Sequence, residues 1–160
     1  MMTAQENLAA RLVRAFAEKG MTLSTAESCT GGLIAKLVTD IPGSSAVFVG
    51  GCVSYTNDVK MRVLGVPRDV IDRETEVSAA CAMAMAEGAR RLFKTDVAVS
   101  TTGFAGPSGG TVRDPVGTVY IGLATPRGTS CVRFSAPQGI SRDEVRTLAA
   151  SRALEEILRE

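Results

Sequence analysis

Three stretches of this sequence carry groups suited to chemistry: "AESCTGG" at 26–32, "GSSAVFVGGCVSYTNDVK" at 43–60 and "TGFAGPSGG" at 102–110. The first sets Ser28, Cys29 and Thr30 ahead of Gly31 and Gly32, where a strand pattern gives way to a helix pattern. Backbone N–H groups at a helix start are unpaired and suit a phosphate or a developing oxyanion, and paired glycines let a ligand approach closely. An ordinary helix cap from Ser28 or Thr30 explains the same residues. The spacing GxxxxGK[ST] is absent, so this is not a P-loop. In the third stretch, Gly103, Gly106, Gly109 and Gly110 expose N–H donors beside Thr101, Thr102 and Ser108. That composition reads as an anion-binding nest or as a surface loop.

The middle stretch matters because the chain has no histidine. Ser-His-Asp and Cys-His arrangements cannot be built within it. A hydroxyl nucleophile then needs a lysine, a carboxylate or a terminal amine as its base. Lys19 and Lys94 sit at predicted helix ends, and Lys36 lies mid-helix near an apolar face. Lys60 follows a strand that carries Tyr55, on a short helix. To act as a base it must be neutral near pH 7, which requires desolvation or a nearby cation. On spacing alone, a solvated Lys60 and a catalytic Lys60 both stand.

The elements that must position these groups alternate between helix and strand. Thr3 and Glu6 have capping-box spacing, and Leu8, Leu12 and Phe16 then recur at helical intervals up to Gly20. A strand over 21–26 leads through the Gly-Gly turn into a helix carrying Leu33, Ile34, Leu37 and Val38. A strand over 46–56, with Gly50-Gly51 as a bulge, precedes a short helix capped by Asn57 and ended by Gly65. A helix over 78–93 follows, then a continuously apolar strand at 96–101, the pattern of a strand covered on both faces. "VGTVYIGLAT" and "CVRF" read as an antiparallel pair, and Ser141 and Glu144 form a second capping box opening a helix to 158. Arg142 and Arg146 fall in its first turns, where the macrodipole disfavours cations. They are expected to pair with a carboxylate or phosphate, or to form a solvated face. The whole predicts one α/β domain over 1–160, three-layered, with a mixed β-sheet flanked by helices.

Composition excludes other classes. Net charge is +1 and the arginines are scattered, so no nucleic-acid-binding stripe is expected. No apolar run approaches the roughly 18 residues of a membrane span. The four cysteines are widely spaced without CxxC, and with no histidine a metal site is not expected. Reduced thiols fit a cytoplasmic protein. The helix "AACAMAMAEGA" is apolar enough either to be buried within the monomer or to meet a second copy in a homo-oligomer.

Four motifs in order, "STAESCTGGLIAKLVTDIPGSS", "FVGGCVSYTNDVKMRVLGV", "VSTTGFAGPSGG" and "PVGTVYIGLAT", resemble the C-terminal domain of the CinA (competence/damage-inducible protein) family, the PncC-type nicotinamide-nucleotide amidohydrolases. The resemblance spans nearly the whole chain and matches the stand-alone form, without the larger N-terminal domain of long CinA proteins. It implies a deamidase without metal or cofactor that converts nicotinamide mononucleotide to nicotinate mononucleotide and ammonia, in pyridine-nucleotide salvage, through a Ser/Lys dyad. Lys60 and Tyr55 fall on the motif lysine and tyrosine. For the nucleophile, Ser45 is the first choice and Ser28 the alternative. The expected substrate contacts are Glu27, Thr30, Gly31, Gly32, Ser44, Asn57, Thr102, Gly103, Gly106, Gly109, Gly110 and Arg142. Glu27 reads either as a group that orients Lys60 or the ribose or as a helix-start carboxylate favoured by the dipole. The chain departs from the family's common wording at "GISR", "VSA" and "TGFAGP", which bears on the phosphate side and on substrate preference. The competing expectation is an inactive nucleotide-binding or interaction module linked to competence or DNA damage.

Overall fold

The computed structural model describes all 160 residues. The chain runs α1 (Ala4–Lys19), β1 (Leu23–Glu27), α2 (Leu33–Thr39), a 3-10 turn (Ser44–Ala46), β2 (Phe48–Val53), α3 (Asn57–Leu64), α4 (Arg68–Glu74), α5 (Ala79–Phe93), β3 (Val97–Gly103), β4 (Thr118–Thr125), β5 (Gly128–Ser135) and α6 (Arg142–Leu158). Five strands form one sheet in the order β2-β1-β3-β4-β5. The first three are mutually parallel and the last two are added antiparallel. Helices α1, α2 and α6 pack on one face and α3, α4 and α5 on the other, giving the expected three layers.

Local chemistry sets the boundaries. Both predicted capping boxes form: Thr3 with Glu6 opens α1, and Ser141 with Glu144 opens α6. Central strands β1 and β3 are buried almost throughout, as a sheet covered on both faces demands. Edge strand β2 alternates between half-buried and exposed residues. The pairing of β1 with β2 slips once, between Leu23 and Ser24 opposite Phe48 and Gly50. Gly50 and Gly51 also serve close packing: a Cβ on Gly50 would lie 2.8 Å from the Phe93 ring, and one on Gly51 only 2.3 Å from Thr25 Oγ1.

Two readings are corrected. The cap of α3 is Thr56, whose hydroxyl accepts from the Val59 N–H, so Asn57 is the first helical residue rather than the cap. Helix α4 was not expected at all, because "RDVIDRE" is short and largely polar. The main core fills the space between the sheet and α1, α2 and α6, built on Leu12, Phe16, Ile34, Val99, Ile121 and Leu154. A smaller core beneath α5 joins Ala26, Leu64, Met85 and Ala98.

The topology also creates a crevice. Strand β1 sends its connection to β2 on one side, and β3 lies on the other, so the chain diverges between β1 and β3. In open α/β sheets, ligands gather at the carboxyl ends of strands at such a switch point.

Candidate active site

A pocket of about 180 Å³ lies at those carboxyl ends, lined by residues that include Ser28, Tyr55, Lys60, Glu76, Thr102 and Arg142. Ser28 directly follows β1, Tyr55 follows β2, and Thr102 is the penultimate residue of β3. Lys60 lies one turn into α3. Parallel strands therefore deliver all four residues to one end of the sheet.

Lys60 is 1% exposed. Its Nζ lies 2.9 Å from the Ser54 carbonyl oxygen, 3.3 Å from that of Tyr55 and 3.1 Å from Ser28 Oγ. Burial pushes its pKa below the usual lysine value, against the opposing pull of Cys81, Glu76 and Cys29. A neutral amine has two N–H donors and one lone pair. Two carbonyls take the donors, and the lone pair is left for the Ser28 hydroxyl, which then donates to it. This is the arrangement a hydroxyl nucleophile and its base require.

Ser45, the first-choice nucleophile, is not brought to Lys60. It sits exposed in the 3-10 turn that precedes β2, as its neighbour Ser44 does half-buried, and neither lines the pocket. Tyr55 and Lys60 follow β2, so the six residues of that strand, at roughly 3.3 Å each, separate Ser45 from them by about 20 Å. Ser28 is the serine the fold places on the lysine.

The expected contacts divide. Glu27 does not face substrate: it is buried and caps α2. Its Oε2 accepts from Thr30 Oγ1 at 2.6 Å and from the Gly32 and Ile34 N–H groups at 3.1 Å each, and Oε1 accepts from the Ala35 N–H at 2.9 Å. The helix start that sequence offered to an anion is thus filled by the protein's own carboxylate. Thr30 is consumed in the same cluster and also meets Thr101. Gly31 and Gly32 adopt φ of +61° and +99°, but the group that approaches Gly31 is the Arg146 guanidinium, 3.2 Å from where a Cβ would stand. Arg146 donates to the Cys29 and Thr30 carbonyls, clamping α6 to the Ser28 loop rather than pairing with an anion. The Cys29 and Thr30 N–H groups, beside Ser28, donate to no other protein group.

On the glycine loop, Thr102 and Gly103 line the pocket, whereas Gly109, Gly110 and Asn57 do not. Gly106 contributes its carbonyl, which accepts from Arg142 Nη1 at 2.8 Å, while Arg142 Nη2 donates to Tyr55 Oη at 3.0 Å. Arg142 therefore stands in the pocket wall, linking the glycine loop to the tyrosine. Arg133 and Arg113 bind buried Asp114, which also accepts from Tyr120 Oη at 2.8 Å, tying the far side of that loop to β4 and β5. Glu76 is a pocket residue that no sequence signal marked. The four cysteines are free thiols, with Cys29 in the pocket wall pushed up to about 12 by burial. No helix is long and apolar enough to cross a membrane.

Comparison with known proteins agrees with this architecture. The family model of the CinA C-terminal domain matches residues 5–160. A putative competence-damage inducible protein of Desulforudis audaxviator is 54% identical over 119 residues, covering 74% of this chain and 29% of that protein. A CinA-like protein of Myxococcus xanthus is 50% identical over 151 residues, covering 94% and 35%. The chain spans about a third of the length of these curated relatives. Among solved structures, the competence/damage inducible protein CihA from Agrobacterium tumefaciens superposes with a TM-score of 0.95 at 39% identity, covering 99% of this chain and 96% of that one. A competence damage-inducible protein A from Klebsiella pneumoniae gives 0.93 at 30%, covering 98% and 96%. The chain belongs to the CinA C-terminal domain family.

Proposed function

We propose that this domain hydrolyses the carboxamide of nicotinamide mononucleotide, releasing ammonia and nicotinate mononucleotide, with Ser28 as nucleophile and Lys60 as base. One observation carries the reading: a buried lysine amine held by two carbonyls, with its third position on a serine hydroxyl. The family resemblance supplies the substrate class.

The chemistry follows from the geometry. Neutral Lys60 takes the Ser28 proton as Oγ attacks the amide carbon, making a C–O bond and an oxyanion. The unpaired Cys29 and Thr30 N–H groups are the adjacent donors for that charge, a role in which one donor is worth about 3–4 kcal/mol. The intermediate collapses with cleavage of the C–N bond, and the Lys60 ammonium returns its proton to the departing nitrogen, so ammonia leaves neutral. Water then attacks the acyl-Ser28 ester with Lys60 again as base, and breaking the ester C–O bond restores the hydroxyl.

The pocket is smaller than the 300–1,000 Å³ of sites that enclose whole ligands, so it suits the carboxamide-bearing ring. The ribose phosphate then lies at the mouth, where Arg142 and Tyr55 stand; Tyr55 is 57% exposed. With a net charge of +1, this reading needs neither nucleic acid nor membrane as partner.

The test is ammonia release from nicotinamide mononucleotide by the purified protein and its variants. Ser28→Ala and Lys60→Arg should each lose at least a hundredfold in kcat with folding intact, because the guanidinium cannot deprotonate. Ser45→Ala should turn over normally. A wild-type protein that binds the nucleotide but releases no ammonia would leave the alternative, a binding or interaction module.

A further inference from the structure

Glu76 is placed in the pocket wall by a segment built with some care. Thr75 adopts φ +69° and ψ 169°, a conformation rare for a β-branched residue. Around it, Thr102 Oγ1 donates to the Glu76 carbonyl at 2.6 Å, Thr75 Oγ1 donates to the Val77 carbonyl at 3.2 Å, and Ser78 Oγ donates to the Thr75 carbonyl at 2.9 Å. The backbone at 75–78 is thereby pinned to the end of β3 beside the reacting serine. Yet the Glu76 carboxylate has no ion-pair partner within 4 Å and accepts no hydrogen bond, unlike the buried carboxylates of Glu27 and Asp114. Glu27 is spent on a helix start and Asp114 on two arginines and a tyrosine. Glu76 is half-buried and close enough to act through space on Lys60 and Cys81.

Resting on the amidase reading, we propose that Glu76 selects the cationic ring of the substrate. An N-ribosylated nicotinamide is a zwitterion, with a pyridinium beside the reacting carboxamide and a phosphate at the far end. The pocket offers the matching pair, a free carboxylate at Glu76 and a guanidinium at Arg142. The groups facing Lys60 are Glu76 from the loop before α5, Cys81 from α5 and Cys29 from the end of β1, with Arg142 of α6 in the same pocket. A bound pyridinium neutralises Glu76 and sets a cation near Lys60, so the ring's own charge favours the neutral base. A neutral dihydropyridine ring gains neither effect.

The test uses Ser28→Ala protein, which holds ligand without turnover, and compares nicotinamide mononucleotide with its reduced form by calorimetry. The oxidised form should bind about tenfold more tightly, the scale of one partly exposed charge pair. Adding Glu76→Gln should bring the two within twofold by weakening the oxidised form alone, and Glu76→Asp should keep most of the preference. An unchanged preference in Glu76→Gln, an equal loss for both forms, or no binding of either would overturn the inference. In the protein with Ser28 intact, the acid limb of kcat should lie at lower pH than that of kcat/KM, and Glu76→Gln should shift the latter downward. Failure of the amidase reading looks different: wild-type protein releases no ammonia while the binding preference for the oxidised form persists.

Discussion

Replacing Glu27 by Gln separates two roles for that residue, a substrate contact and a structural cap. The carboxylate accepts four hydrogen bonds, three of them from backbone N–H groups of the α2 start. An amide supplies one oxygen. If it takes the place of Oε2, the Ala35 N–H faces an NH2 group and loses its partner, which costs about 2 kcal/mol. The other three bonds fall from charge-assisted to neutral strength, about 1 kcal/mol each, and the helix dipole loses its counter-charge for up to another 1 kcal/mol. Neighbouring terms overlap, so the net expectation is about 4 kcal/mol, a large share of the 5–15 kcal/mol typical of a domain. Urea unfolding at pH 7 reads this as a drop in midpoint at constant slope. Unfolding free energy within 1 kcal/mol of wild type, together with a raised KM, would refute the cap and restore Glu27 as a substrate contact.

Other expectations follow from the same contacts. Ser54 Oγ is buried without a partner, so Ser54→Ala should raise stability by about 1 kcal/mol in thermal or urea unfolding; a loss would mean the hydroxyl is satisfied in solution. A Cβ on Gly88 would stand 2.0 Å from the Leu64 carbonyl oxygen, so Gly88→Ala must part α5 from α3, costing about 3 kcal/mol by urea unfolding and lowering kcat. With Lys60 as the proposed base, only its neutral form could accept the Ser28 proton, so kcat/KM for ammonia release should rise with pH through a midpoint below the 10.5 of an ordinary lysine. An acid limb centred at or above 10.5 would contradict a base desolvated by the fold.

Much of the fold was legible because its signals are local. Thr3 with Glu6 and Ser141 with Glu144 are three residues apart, and the boxes they form mark α1 and α6 to within a residue. The apolar run of β3 announced a strand covered on both faces. For Glu27 the sequence left a helix-start carboxylate and a substrate contact open, because local capping rules look three residues along a helix, whereas this carboxylate reaches N–H groups five to eight residues ahead from the end of a strand. Choosing between Ser28 and Ser45 required strand direction, and the signal was present: Ser28, Tyr55 and Thr102 each lie at or just after a strand's end, whereas Ser45 precedes one. Glu76 had no signal, since nothing local tells a loop carboxylate in a pocket from one in solvent.

The proton affinity of Lys60 depends on the packing of the second helical layer. Two carbonyls around Nζ favour the ammonium, each by about 1–1.5 kcal/mol, and the negative potential of Glu76 adds to them. Desolvation opposes all of these, and for a side chain 1% exposed the effective penalty is several kcal/mol, so burial decides the direction. Helix α3, which carries Lys60, lies tight against α5, an approach at Leu64 that a glycine at 88 permits and a Cβ there would obstruct. Water admitted at this seam would move the amine back toward the ordinary lysine pKa without touching Ser28. In a chain without histidine, the reactivity proposed for Ser28 and Lys60 is therefore a property of helix packing as much as of the two side chains themselves.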